Sequence, residues 1–231
     1  MSEEISFLIL ANNEAKTIKN EIKSILKLRK KLKFKLIIVQ DGSTDGTYEI
    51  LNNLREKNIK LFNQKKRMGY YKAFLKGVEL SEGSVIFFSD TGNKYNYSNF
   101  IKFYRYYKKS SVDLLACYRV NRKDKLLRRM LTFFYTIFIN TIFLLNYKDY
   151  DCGFKIFNKF KLLKVLQNNS FNENLITSQI FLYFIKYNFK ILQYPVVYKE
   201  KKNRSSRGVP TNKILKIAIL SIFNLLKIRL N

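Results

Sequence analysis

Three polar clusters bring together residue types that can hydrogen-bond and charge a ligand site. Asn12-Asn13-Glu14 follows one apolar run, Asp41-Gly42-Ser43-Thr44-Asp45-Gly46-Thr47 a second, and Ser89-Asp90-Thr91-Gly92-Asn93-Lys94 a third. In the middle cluster two glycines allow a tight turn and a close backbone approach, while Asp, Ser and Thr offer hydrogen bonds at a strand end. Alone, that segment is a good turn before a capped helix. With the other two clusters it becomes specific, because three strand ends can converge on one crevice.

The elements that must position these clusters alternate. Apolar runs at 5–10 and 36–39 have the character of buried parallel strands, and Lys-, Glu-, Ile- and Leu-rich segments at 15–32 and 47–57 have helical spacing. A strand at 59–62, a helix at about 70–80 and a strand at 85–88 continue the pattern, with further strands at 114–118 and at 191–198, the latter broken by Pro195. Strands alternating with helices predict an α/β, doubly wound sheet whose ligands sit at the carboxyl ends of the strands.

The chain has 231 residues, enough for one α/β domain with a short appendage. Its 44 Lys and Arg against 17 acidic residues, with no His, give +27, a field that attracts phosphates, anionic lipid or nucleic acid. Lys, Asn, Ile, Phe and Tyr are all plentiful, as codon bias would make them, so charge is informative only where it clusters. Cys117 and Cys152 lack metal-ligand spacing, which points to a reducing cytosol. The opening MSEEISFLIL lacks the basic region and cleavage site of a signal peptide, so export is not expected.

Two segments have a different character. Residues 130–147 are uncharged, aromatic and branched, preceded by Arg128 and Arg129, yet contain Thr132, Thr136, Asn140, Thr141 and Asn146. A helix over 128–147 lying in a membrane interface is the favoured reading, with a membrane span and an ordinary core helix as alternatives. Residues 214–230 space apolar side chains at three and four with basic flanks, as does an amphipathic helix on anionic lipid, or one packed on the domain. The division expected is a domain over 1–200 and a basic loop with an amphipathic helix over 201–231.

These motifs resemble family 2 inverting glycosyltransferases, and within them the polyprenyl-phosphate, dolichyl-phosphate-type sugar synthases. The resemblance runs through Asn12 to Glu14, Gln40 to Thr47 and Phe87 to Lys94. It continues through Tyr118, Arg119, Arg122, Asp124, Arg128 and Thr132, and then Asp149-Tyr150-Asp151-Cys152-Gly153-Phe154-Lys155. It implies a GT-A fold, the Rossmann-like nucleotide-diphospho-sugar transferase architecture, as a single domain with C-terminal membrane-interface helices. Asn13, Glu14, Asp41, Ser43 and Asp90 would face the nucleotide-sugar donor. Asp90, Lys94, Arg119, Arg128 and Asp149 would form the catalytic set. Arg119, Arg128, Thr132, Arg204 and Arg207 would hold the acceptor phosphate, a task suited to forked guanidinium groups. Asp90 would be the metal ligand, for Mg²⁺ or Mn²⁺.

The departures from the family pattern carry their own expectations. Gly92 and Lys94 stand at the second and third metal-ligand positions, where a glycine side chain cannot coordinate and a protonated lysine repels a cation. Either Lys94 supplies the positive charge for the leaving diphosphate, or Asp90, donor phosphates and water still hold the ion. Gln40, Asn12, Gln179 and Tyr198 replace an acid, an aromatic, a Glu and a His of relatives.

A phosphate-monoester acceptor, with a second ionisation near about 6, needs no strong base. A sugar hydroxyl would need Asp149 or Asp151. The resulting expectation is a transferase charging polyprenyl phosphate on the cytoplasmic face of a membrane, in cell-envelope polysaccharide biosynthesis. A saccharide or glycolipid acceptor is one alternative, and a non-catalytic basic protein on an anionic membrane surface another. Nucleic acid is disfavoured as a partner, because charge does not explain polar clusters at three successive strand ends.

Overall fold

The computed structural model describes residues 4–54, 56, 58–124, 126–173, 175–199 and 223–229. Seven strands form one sheet in the order β3-β2-β1-β4-β6-β5-β7. The strands are β1 (Ile5–Ala11), β2 (Phe34–Asp41), β3 (Ile59–Gln64), β4 (Val85–Asp90), β5 (Leu114–Val120), β6 (Phe154–Asn158) and β7 (Ile191–Val197). Strands β3, β2, β1 and β4 run parallel, as expected of apolar runs covered on both faces. Successive residues of β1 serve opposite layers. Phe7 and Ile9 pack with Ile18, Ile22 and Phe100 on one face, and Leu8 and Leu10 with Phe74, Ile180 and Phe184 on the other.

The helices follow from the same logic. Helix α1 (Ile18–Leu26) and α4 (Phe100–Ser110) bury Ile18, Ile22, Ile25 and Phe100, Phe103, Tyr104, Tyr107 at helical spacing. On the opposite face α3 (Tyr70–Leu80) lies so close to β1 that a Cβ on Gly77 would stand 2.3 Å from the Leu8 side chain. Between β2 and β3 runs α2 (Thr47–Asn52), shorter than the 47–57 expected. Helix α5 (Leu126–Phe143) precedes β6, and α6 (Lys159–Gln167) and α7 (Ile176–Lys186) separate β6 from β7.

Two findings differ from the sequence reading. Strand β6 is antiparallel to both β4 and β5, so the sheet is mixed rather than uniformly parallel. This reversal starts β6 at the carboxyl end of β4, where Ser89 pairs with Phe154 and Asp90 N–H donates to Gly153 C=O at 2.8 Å. The apolar helix begins at Leu126 and stops at Phe143, earlier than 128–147, because Leu144 adopts φ 54 and the Asn140 amide captures the Tyr147 backbone. Within 214–230, residues 223–229 are helical, with Leu225 and Ile228 buried in the α3–α7 layer and Phe223 exposed.

Candidate active site

The carboxyl ends of β1 and β2 are braced against each other. Asn13, at φ 54, donates its N–H to Ser43 Oγ at 2.9 Å, and its Oδ1 accepts from Thr44 N–H at 2.6 Å. Glu14 N–H donates to Thr47 Oγ1 at 2.7 Å, while the buried Glu14 carboxylate takes the Thr17 hydroxyl at 2.9 Å. Gly42, at φ 58, touches the next loop so closely that a Cβ would lie 2.3 Å from Arg67 N. Asp41 holds that same loop, accepting from Met68 N–H at 2.6 Å and Gly69 N–H at 3.1 Å. All four residues expected at the first two strand ends therefore meet at one place, and each also fixes loop shape.

At the end of β4, Asp90 Oδ1 accepts the Tyr70 hydroxyl at 3.1 Å and Oδ2 faces Lys94 Nζ at 3.4 Å. Burial opposes the charge on Lys94, but the Asp90 carboxylate outweighs it and holds the ammonium's pKa above its ordinary value. Behind Asp90, a Cβ on Gly153 would come within 2.2 Å of Oδ2, so glycine is what permits the carboxylate to sit there. The turn after Asp90 is held by a residue that motif reading passed over. Glu21 of α1 is buried and accepts Gly92 N–H at 3.0 Å, Asn93 N–H at 3.4 Å and the Tyr97 hydroxyl at 2.6 Å. In sequence it looks like any helix acid. Only its neighbours Ile18, Ile22 and Ile25 hint at an inward face.

The second half of the site comes from β5 and the segment leading into β6. Arg119 Nε and Nη2 fork onto Asp149 at 2.6 and 2.9 Å, both side chains nearly buried. Burial pushes the Asp149 pKa up, and the guanidinium more than reverses it, leaving the group below the carboxylate range. Arg119 also lies 5.8 Å over the Tyr198 ring. Asp151 accepts from Thr177 Oγ1 at 3.3 Å, and burial together with Asp149 raises its pKa. Lys155 is fully buried, its ammonium handed to the Tyr150 carbonyl at 3.1 Å and the Cys152 carbonyl at 2.5 Å, and burial lowers its pKa.

Arg128 lies in the first turn of α5, near enough to Lys94 to oppose its charge. Thr132 donates its hydroxyl to Arg128 C=O at 2.9 Å. Arg122 and Asp124 form a further ion pair beside them. Arg204 and Arg207 lie outside the described residues. Among the described residues no group of three His, Cys, Asp or Glu could hold a metal ion.

The carboxyl end of the sheet thus gathers the mutually braced β1 and β2 loops, the Asp90–Lys94 pair with Arg128 near it, and the buried Arg119–Asp149 fork, and the apolar helix α5 leads away from Arg128. Comparison with known proteins gives the family and relatives of similar fold. Glycosyl transferase family 2 matches residues 6–166. A dolichyl-phosphate beta-glucosyltransferase of Trichomonas vaginalis is similar at 25% identity, over 97% of this chain and 76% of that protein. One of Dictyostelium discoideum is similar at 26% identity over 67% of this chain, which spans about half (54%) of that relative's length. Glucosyl-3-phosphoglycerate synthase of Mycobacterium tuberculosis, solved with Mn²⁺, uridine diphosphate and glucosyl-3-phosphoglycerate, has a similar fold. The TM-score is 0.75 at 17% identity, covering 98% of this chain and 80% of that one.

Proposed function

Because the chain belongs to glycosyl transferase family 2, we propose that it is an inverting glycosyltransferase moving a sugar, glucose first among candidates, from a nucleotide sugar to a polyprenyl phosphate. The observation that carries the lipid acceptor is α5. Arg128 in its first turn lies near enough to Lys94 to oppose its charge, and the helix exposes Leu126, Leu127, Met130, Phe133, Phe134 and Ile137 to the outside. An acceptor with an anionic head and a long apolar tail matches that sequence of surfaces. An apolar face beside basic residues also suits a helix lying in the interface of an anionic leaflet, here the cytoplasmic one.

The chemistry asks little of a base. An acceptor phosphate is already anionic, so its oxygen attacks the sugar carbon while the bond to the donor diphosphate breaks. What the protein supplies is alignment and countercharge. Asn13, Glu14, Asp41 and Ser43 shape the donor side. Arg128 and Thr132 face the acceptor. Asp149 holds Arg119 in a fixed orientation, which leaves neither of its oxygens idle for proton abstraction. The Mycobacterium tuberculosis synthase of similar fold was solved with Mn²⁺ beside uridine diphosphate. The dolichyl-phosphate glucosyltransferase relatives make glucose the first sugar to test.

The test is incubation of purified protein with a panel of labelled nucleotide sugars and a polyprenyl phosphate, followed by organic extraction. Label in the lipid phase, lost on Arg128→Ala, is the expected result. Donor binding with no lipid product would refute the lipid acceptor and turn attention to saccharides. Neither donor binding nor transfer would sink the enzyme reading and leave a non-catalytic membrane-binding protein.

A further inference from the structure

We propose that Lys94 is a built-in counter-cation. Its ammonium takes the place on Asp90 that a divalent ion would occupy, and it receives the diphosphate of the departing nucleotide. This rests on the glycosyltransferase reading, since a diphosphate leaving group is what requires the charge. Three observations carry it. First, both Asp90 oxygens already have partners, Tyr70 hydroxyl at 3.1 Å and Lys94 Nζ at 3.4 Å. Second, the positions two and four after Asp90 offer no side-chain oxygen to an ion. Gly92 has no side chain, and Lys94, which faces Asp90, is itself a cation. Third, the ion pair is only partly covered. The Lys94 and Asp90 side chains keep 34% and 22% exposure.

The backbone around Lys94 is pinned on both sides. Glu21 takes the N–H groups of Gly92 and Asn93, and Lys94 C=O accepts Lys199 N–H at 2.9 Å. An ammonium has three protons, and Asp90 needs only one, so the group can bridge carboxylate and diphosphate together. In the transfer, the acceptor oxygen forms its bond to the sugar carbon as the bond from that carbon to the diphosphate oxygen breaks. The electron pair stays on the diphosphate, and Lys94 hydrogen-bonds the new charge without giving up its proton.

The test is calorimetric titration of the full chain with UDP, GDP, ADP, CDP and TDP, in EDTA and again in Mn²⁺, with Mn²⁺ binding read directly by electron paramagnetic resonance. We expect one nucleotide to bind with affinities agreeing within about threefold in the two buffers, and the free Mn²⁺ signal to persist in its presence. Lys94→Ala is expected to weaken binding roughly 10- to 100-fold, as loss of a charge-assisted hydrogen bond does, and Lys94→Arg to keep most of it. The wild-type comparison decides the matter even if a variant folds poorly. Affinity raised tenfold or more by Mn²⁺, with the ion's signal lost only in the nucleotide complex, overturns the proposal and leaves the glycosyltransferase reading standing. No binding of any nucleotide in either buffer overturns both.

Discussion

Glu21 gives the sharpest test of how the site is held. Its carboxylate is 2% exposed and takes Gly92 N–H at 3.0 Å and the Tyr97 hydroxyl at 2.6 Å, with a longer bond from Asn93. Removing it in Glu21→Ala strands the buried Gly92 N–H, while the Tyr97 hydroxyl can turn to Ser89 Oγ. The loss is about 1–3 kcal/mol. Glu21→Gln should cost under about 1 kcal/mol. Its Oε1 can accept both amides, and its Nε2 can donate to Tyr97, whose proton then turns to Ser89 Oγ, 3.0 Å away. Burial raises the Glu21 pKa above its usual 4.5. The Tyr97 hydroxyl and the two amides oppose that rise, and the Glu14 carboxylate adds to it. A carboxyl whose folded pKa is raised binds its proton more tightly in the native state. Wild-type stability should therefore fall as pH climbs from the unfolded pKa through the folded one, and Glu21→Gln should gain on wild type over that window. Urea denaturation from pH 4.5 to 8, with nucleotide binding measured on each variant, checks this. If the alanine variant matched wild type within about 1 kcal/mol, or glutamine behaved like alanine, the anchoring argument would be wrong.

Asp149→Ala leaves the Arg119 guanidinium buried without its fork and should cost about 3–5 kcal/mol, whereas an Arg119→Met, Asp149→Leu pair should recover most of it. Equal losses in the single and paired variants, by denaturant titration, would show that the ion pair is not the cause. Gly153→Ala puts a methyl 2.2 Å from Asp90 Oδ2 and should reduce nucleotide binding as well as stability, by about 1–3 kcal/mol of overpacking. Gly77→Ala, against the Leu8 side chain, should cost stability alone, and unchanged nucleotide binding in both would separate Gly153 from the site. Phe133 and Phe134 are 61% and 59% exposed, about 100 Å² each, or about 2.5 kcal/mol apiece if buried in lipid. Replacing both by Ser should abolish sedimentation with anionic vesicles, and undiminished binding would remove this face from the membrane.

The parallel half of the fold was legible because it obeys simple rules. The runs at 5–10 and 36–39 lie in β1 and β2, strands covered on both faces, and 70–80 coincides with α3. Strand β6 escaped notice because Phe154-Lys155-Ile156-Phe157 carries a lysine in its middle. Burying Lys155 is feasible only because loop carbonyls of Tyr150 and Cys152 receive its ammonium. Helix α4 was missed although Phe100, Phe103, Tyr104 and Tyr107 have helical spacing, because Lys102 and Arg105 between them, and Lys108 and Lys109 after them, disguise an aromatic face. The partnerships Glu21–Gly92 and Arg119–Asp149 span 71 and 30 residues, so no local pattern announces them.

Long-range pairs also give the motif residues a structural task. Asp41 anchors the loop before α3, and Asn13 and Ser43 lock two strand ends together, so substituting any of them disturbs shape as well as contacts. The antiparallel strand has the same double effect. A parallel β6 would have delivered the 149–153 segment to the opposite edge of the sheet. Reversed, it brings Gly153 against Asp90 and leaves the segment that carries Asp149 at the same end of the sheet as Arg119, which Asp149 grips. The reversal thus gathers Asp90, Arg119, Asp149 and Gly153 at the carboxyl end of the central strands, and under the proposed function a lipid acceptor would approach them along the exposed apolar face of α5.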